Sequence, residues 1–420
     1  MMTFEQRRGL VAACTTTEYS DFYRRLYGLS AEQKTLLLSS PEEWTALPFV
    51  TKDLLLDTPP QQRLFCDPRE VRSVRTSSGT TGRPPLFTPF ARSADFTYRA
   101  DFRHAGDPIL AFSLLVPFDN ERWLASQGFQ PRVVVLDPKN IESSVRLART
   151  VGVRSIFVFT FLMPEIGACM QSLGMTERIS YIELAGEPCS SGLYKYLRET
   201  FPNAGITGTL GMNEIDNMPF APSCHLAGNS DEVDLHHARD GSHIELVDPE
   251  TGESIPVRAG AEGEMVITVG GDGTYASPMI RYRTGDIVRV IGEQCPVHNT
   301  WSFKDVGRYE ADFVKVRGGV LRADEMERVL RTLGLSDIFE LHRYERNTPQ
   351  GPRTAVDLHL TVPPGTDLQG LSNKIAGLLR VAPTYTYADG VREGHYLPLV
   401  CIRLDASPQK QVKRHRVIAH

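Results

Sequence analysis

The sequence predicts an α/β protein, with a large N-terminal domain of doubly wound mixed sheets plus a β subdomain, followed by a small α+β C-terminal domain. Three observations carry that expectation. The 420 residues exceed one ordinary core, since single cores stop growing at about 250–300 residues. Between Arg132 and Thr207 apolar strand runs alternate with apolar positions at helical spacing, the pattern of a parallel sheet flanked by helices. Between Gly241 and Glu293 the pattern changes to short alternating strands separated by turns, the mark of antiparallel pairing.

In chain order, residues 1–47 carry helical spacing at Phe22, Leu26 and Leu29, then Leu36-Leu37-Leu38, and predict a helical layer. Pro59-Pro60 punctuates the approach to a short strand, Arg72-Ser73-Val74-Arg75. Arg132–Leu136 reads as a buried strand, Ile141, Val145, Ala148 and Val151 as one helix face, and Ser155–Thr160 as the next strand. Ser180–Leu184, a helix bearing Leu193, Tyr196, Leu197 and Phe201 and stopped by Pro202, and Gly205-Ile206-Thr207 continue the alternation. Ligands are expected beyond the C-terminal ends of such strands. The β subdomain holds His243–Val247, the turn Asp248–Gly252 and Glu264–Thr268. After Gly307-Arg308 come a strand, a Gly318-Gly319 turn, a helix from Glu325 to Leu333, a strand at 354–362, a helix at 367–380 and a strand at 399–404. The domain boundary is placed at 308/309, giving 1–308 and 309–420. No repeat or low-complexity linker interrupts the chain.

Composition excludes several classes. Apolar residues make up 41% and charged residues 23%, and no apolar run approaches the ~20 residues of a membrane span. Gly9–Cys14 mimics a signal sequence only faintly, being shorter than the ~7–15 residues of an h-region, so a cytoplasmic enzyme with no membrane partner is expected. A net charge of −5 argues against a nucleic-acid partner, whose footprint is a basic excess. Seven scattered cysteines do not suit a disulfide framework and read as buried thiols.

The chemistry centres on Thr76-Ser77-Ser78-Gly79-Thr80-Thr81-Gly82-Arg83-Pro84. Glycines allow backbone to approach an anion closely, and successive N–H groups and hydroxyls supply donors, so the loop suits a phosphate cradle. It does not spell Gly-x-x-x-x-Gly-Lys-Ser/Thr. On composition alone a flexible surface loop is equally consistent.

The loop resembles the phosphate-binding loop of the AMP-forming adenylating enzymes, the superfamily of acyl-CoA ligases, luciferases and peptide-synthetase adenylation domains. Pro48-Phe49-Val50-Thr51-Lys52-Asp53-Leu54 and Pro68-Arg69-Glu70-Val71 resemble its phenylacetate–CoA ligase branch. Tyr282-Arg283-Thr284-Gly285-Asp286 resembles the family's Tyr-Arg-Thr-Gly-Asp, and Gly307-Arg308-Tyr309-Glu310 its hinge. Lys410-Gln411-Val412-Lys413-Arg414-His415-Arg416-Val417-Ile418 resembles its terminal Gly-Lys-x-x-Arg-Val-Ile, with Val412 in place of glycine.

The resemblance implies an ATP-dependent ligase that joins a carboxylic acid, aromatic by branch, to AMP with release of pyrophosphate and passes the acyl group to coenzyme A. It implies that Thr76 to Gly82 hold phosphates, and that Ala185-Gly186-Glu187-Pro188 and Leu210-Gly211-Met212-Asn213 wall the adenine and the acyl pocket. Glu214 then holds Mg²⁺, Asp286 and Arg308 contact the ribose, and Lys413 on a mobile C-terminal lid neutralises charge during adenylation. A hard cation among phosphate oxygens takes few protein ligands, which suits one carboxylate. Leu210 stands where the family stacks an aromatic ring on adenine, and Asn213 where Ser or Thr is usual. Phe161 and Phe118 are assigned to the acid pocket, Phe157 and Phe159 to the core. Gly318-Gly319 is read both as a hairpin turn and as a passage for a pantetheine arm. Cys224, His236, Cys295 and His298, with His225 and His237 as competitors, form a candidate structural zinc site beside the simpler reading as scattered thiols and imidazoles. A carrier-protein thiol, an amine, a non-carboxylate oxyanion such as nitrite, a homodimer, and a nucleotide-binding regulator without turnover stay open.

Overall fold

The structure, a computed structural model, describes all residues except 31, 72, 77–85, 91–108, 112–132, 138–139, 187–188, 190, 213, 215–218, 223–234, 239–240, 271–275, 296–299, 309–312, 317–318, 336–338, 349–350, 383, 405–416 and 420. The chain forms two compact units, one of Met1–Thr160, Glu177–Cys189 and Asn203–Tyr309, the other of Phe161–Thr176, Ser190–Pro202 and Glu310–His420.

The first unit begins with the helices Phe4–Thr16, Phe22–Leu26, Pro41–Ala46 and Lys52–Asp57. Thr3 starts the first of these with a reciprocal capping box to Gln6, which satisfies orphan N–H groups at the helix end. Strands β1 (Ser73–Thr76) and β2 (Phe87–Phe90) pair antiparallel. The predicted phosphate loop falls between these strands in sequence, and its residues from 77 on lie outside the described set.

A six-stranded sheet follows, built from β3 (Ile109–Ala111), β4 (Val133–Val135), β5 (Ser155–Phe159), β6 (Tyr181–Ala185), β7 (Gly205–Gly211) and β8 (Pro219–Pro222). Its order is β4-β3-β5-β6-β7-β8, parallel throughout except for β8. The helix Ile141–Val151 leads from β4 to β5; Asn140 caps its start and Gly152, at φ 79°, ends it in the left-handed region. That conformation costs glycine little. The sheet is the mixed α/β sheet that the sequence predicts, with β3, the second strand from one edge, added.

The β subdomain is a five-stranded antiparallel sheet of β9 (His236–His237), β10 (Ser242–Val247), β11 (Glu262–Val269), β12 (Met279–Gly292) and β13 (Ser302–Arg308), in the order β10-β11-β12-β13-β9. Its inner face carries Ile244, Met265, Ile267, Ile280, Val288 and Phe303 into one core with Trp44, Leu55 and Tyr23 of the helical layer. The predicted helices of residues 1–47 thus have a covered apolar face.

In the second unit, β14 (Phe313–Val316) and β15 (Gly319–Arg322) form a hairpin ahead of the helix Ala323–Thr332. The long hairpin β16 (Phe339–Thr348) and β17 (Gly351–Leu360), the helix Leu368–Leu378, the short pair β18 (Arg380–Ala382) and β19 (Tyr385–Thr386), the helix Tyr387–Arg392, β20 (Val400–Arg403) and β21 (Val417–Ala419) complete it. The four-stranded sheet runs β20-β17-β16-β21, over a core of Met326, Leu330, Leu341, Val356, Leu358 and Ile375. The helices Met163–Ser172 and Ser191–Thr200 lie against β17. Among the described residues no helix is long and apolar enough to cross a membrane, and Cys14, Cys66, Cys169, Cys189, Cys295 and Cys401 are not joined in disulfides.

Candidate functional site

Tyr282–Asp286 lies inside β12, where the pairing with β11 is irregular between Glu264/Val266 and Ile267/Val269. Glu264, buried at 3% exposure, organises this turn. Its carboxylate accepts from Arg283 Nε at 2.9 Å and from the Gly285 N–H at 3.0 Å. Thr284 Oγ1 donates to Met265 O at 2.8 Å and accepts from the Asp286 N–H at 3.0 Å. Gly285 sits at φ 75°, a backbone position that glycine alone takes cheaply. The turn delivers Asp286, 7% exposed, directly opposite Arg308 in the β12–β13 register. Two positions assigned separately to the ribose are thus cross-strand partners.

The segment 48–54 is tied to this strand. Val50 donates its N–H to Arg281 O at 3.0 Å and accepts from the Arg283 N–H at 2.9 Å, a parallel bridge to Tyr282. Thr51 Oγ1 caps the helix Lys52–Asp57 by accepting from the Leu54 N–H. Lys52, the first helical residue, thereby aims its Nζ to 3.8 Å from Glu214 Oε1, with the two side chains 24% and 12% exposed. The sequence reading gives Lys52 no role, although it lies within the segment 48–54 that resembles the family. The signal missed was a lone cation at a helix start beside a capping threonine.

Beyond the strand ends, Phe159, Ala185 and Thr209 share one row of the parallel register. Gly186 follows at φ 88°, and a Cβ there would stand 2.3 Å from Phe159 Cδ1. The Phe159 ring, half-buried, fills the notch left by that glycine, where the sequence assigned it to the core. Thr160 Oγ1 donates to Ala185 O at 3.2 Å and holds the two strand ends together. Two rows deeper, where Glu183 pairs with Thr207, Tyr181 Oη lies 2.7 Å from Thr207 Oγ1 and donates to Glu183 Oε2 at 3.4 Å. Glu183 is fully buried, a polar group that the apolar run Tyr181–Leu184 hid from a periodicity reading. Leu210 packs partly against the first unit's core, Met212 is buried in it, and Gly211 pairs with Pro219.

Other assigned positions lie outside the described residues: Ser77, Ser78, Gly79, Thr80, Thr81, Gly82, Phe118, Glu187, Pro188, Asn213, Cys224, His225, His298 and Lys413. Thr76, Phe161 and Arg308 are placed by their backbones alone. Of the zinc candidates, His236 is buried with its ring 6.0 Å from that of Phe303. Cys295 is buried beside Leu235 and donates its N–H to Thr300 O at 2.7 Å. His237 Nδ1 stands 3.4 Å from Trp301 O. Among the described residues no group of three or more Cys, His, Asp or Glu side chains is set to hold a metal. Gly319 approaches Val381 so closely that a Cβ would lie 2.1 Å from Val381 O, so its hydrogen is required by the β15–β18 contact itself.

Two described carboxylates have the chemistry that a hard cation or a polyol would need. Glu214 offers a partly exposed carboxylate that its cation stands near without a tight pair, and such a group can join phosphate oxygens around Mg²⁺. Asp286 offers carboxylate lone pairs for vicinal hydroxyls.

No protein-family model matches the chain. The phenylacetate-coenzyme A ligase of Pseudomonas putida is 26% identical over 345 residues, covering 77% of this chain and 73% of that protein. The phenylacetate-coenzyme A ligase of Thermus thermophilus is 25% identical over 350 residues, covering 74% of this chain and 70% of that protein. Among solved structures, 2-hydroxyisobutyryl-CoA ligase in complex with 2-HIB-AMP and CoA superposes with a TM-score of 0.65 at 18% identity, covering 98% of this chain and 88% of that one.

Proposed function

We propose that the chain is an AMP-forming adenylating enzyme, a reading its likeness to phenylacetate-coenzyme A ligases supports, and that it activates a carboxylic acid, aromatic in class, as its acyl-adenylate and then transfers the acyl group to coenzyme A. The observation that carries this reading is the joint placement of Asp286 opposite Arg308 and of Lys52 against Glu214, with one bridge, Val50 to Tyr282, linking the two segments. Sequence likeness to two phenylacetate–CoA ligases supports the acid and the thiol.

In this reading the carboxylate oxygen of the acid bonds to the α-phosphorus of ATP, and the bond to pyrophosphate breaks. The thiol sulfur then bonds to the acyl carbon, and AMP leaves. Mg²⁺, when bound, offsets the charge of the phosphate oxygens. Asp286 accepts from the ribose hydroxyls, with Arg308 beside it. Lys52 directs its ammonium toward the approaching anions, and Glu214 supplies the metal's protein carboxylate. The residues Thr76 to Gly82 cradle phosphate, Gly186 to Pro188 and Leu210 to Asn213 wall the adenine, and Ala185, Phe118, Phe161 and the Phe159 ring bound the acid. Lys413, on a lid of residues 309–420, adds a second positive charge during adenylation. The chain's contribution is positioning and fixed charge, the dominant sources of rate in such transfers.

The test is pyrophosphate release with ATP and Mg²⁺ over a panel of aryl and aliphatic acids, with and without coenzyme A. Acid-dependent release with a CoA thioester as product is expected. Release without a thioester moves the acceptor to a carrier protein or an amine, and silence with every acid overturns the reading.

A further inference from the structure

Phe49 lies where the two halves of the candidate site meet. Arg281 Cζ stands over its ring at 4.2 Å from the centroid and Arg283 Cζ at 5.6 Å. Neither guanidinium is free to follow the ring. Arg281, 1% exposed, donates from Nε to Glu245 at 3.2 Å and from Nη1 to Thr45 O at 2.6 Å and to Leu47 O. Its backbone has φ 52°, the one positive value outside glycine among the described residues, so strand geometry there is over-determined by contacts. Arg283 is gripped by Glu264 and by Pro249 O at 2.6 Å. Gly252, at φ 73°, closes on the ring as well, since a Cβ would stand 3.0 Å from Phe49 Cε2.

The geometry points to a positioning role for Phe49: its ring, pinned by two anchored arginines, sets where Lys52 stands against Glu214 relative to Asp286. This rests on the roles proposed above for Lys52 and Asp286. On one side of the ring the chain runs through Val50, bridged to Tyr282, and Thr51, the cap, to Lys52. On the other, Arg283 and Gly285 share the Glu264 carboxylate and lead to Asp286. Displacing the ring therefore moves the Lys52 ammonium relative to the ribose carboxylate. Misplacement on the ångström scale is enough to lower rate.

The test uses the full chain with Phe49→Leu, which keeps bulk but removes the π face, Phe49→Tyr, which keeps both, Lys52→Ala, and the Phe49→Leu/Lys52→Ala pair. Thermal melting verifies folding, and Phe49→Met replaces Phe49→Leu if the latter does not accumulate. Amine-labelling of Lys52 in ligand-free protein, followed by mass spectrometry, is expected to speed up severalfold in Phe49→Leu and to stay at the wild-type rate in Phe49→Tyr. kcat/KM for ATP is expected to fall about tenfold in Phe49→Leu, in keeping with the loss of partly desolvated cation–π contacts. In the Lys52→Ala background the same change should have almost no further effect, because coupled residues are not additive. Additive losses, or an unchanged Lys52 labelling rate, would overturn the assignment. If wild type releases no pyrophosphate with any acid, the functional reading fails, while the labelling ratio still decides whether Phe49 positions Lys52.

Discussion

Asp286 and Arg308 face each other across the β12–β13 ladder, 22 residues apart in sequence and adjacent in register. Under the proposed function this rung would bring the two ribose-contacting positions together. Asp286→Ala is expected to raise KM for ATP by about tenfold to a hundredfold, the loss that follows from removing hydrogen bonds to a charged acceptor, with a smaller change in kcat. Steady-state kinetics at saturating acid checks it. A change in kcat alone would remove the residue from ground-state nucleotide binding.

Glu214 and Lys52 carry opposite charge 3.8 Å apart. Glu214→Gln should move the Mg²⁺ needed for half-maximal pyrophosphate release up by about tenfold, because a neutral amide oxygen is a poorer ligand for a hard cation. Titration with MgCl₂ at fixed ATP measures it. An unaltered midpoint would assign the carboxylate to structure.

Gly186 is kept free of a side chain by the Phe159 ring. Gly186→Ala should cost about 1–3 kcal/mol of stability, from overpacking and from an unfavourable φ, and should narrow the range of acids used. Denaturant melts and the acid panel read both. Adding Phe159→Leu should restore breadth; if the double variant is as narrow as the single one, the notch does not bound the acid.

His243 is held neutral. Burial, and then the neighbouring Arg7, push its imidazole down to about 3, and Arg7 Nη1 donates to its Nε2 at 2.8 Å. An unfolded histidine takes its proton at about 6.5. Between those values the unfolded chain binds a proton that the folded chain refuses, so stability is lost as pH falls, by up to about 1.4 kcal/mol per pH unit. Urea midpoints at pH 7 and pH 5 should show this loss, and His243→Asn should flatten it. An equal slope in both proteins would place the sensitivity elsewhere.

The parallel strands were legible because buried strands read as apolar runs, continuous at Val133 to Leu136 and Ile156 to Phe159. The helix Ile141–Val151 was legible from its own spacing. Local pattern does not specify long-range register, which explains why the meeting of Asp286 with Arg308 and of Lys52 with Glu214 had to come from the structure. The short strand β3 carries three residues and gives too few alternations to be read. Glu183 escaped notice because one carboxylate inside an apolar run leaves no periodic trace, although Tyr181 and Thr207 cluster with it.

The burial of Trp44 beneath Arg7 and His243 has a spectroscopic consequence. Trp44 and Trp301 are both buried in the first unit, and no tryptophan occurs in the sequence ranges of the second. Indole emission therefore reports the melting of one unit alone. The second unit answers instead through its tyrosines, among them Tyr387 and Tyr396, whose rings stack at 4.9 Å. Excitation confined to indole therefore isolates the first unit, whereas tyrosine emission, to which Tyr23 and Tyr181 of the first unit also contribute, reports both units together.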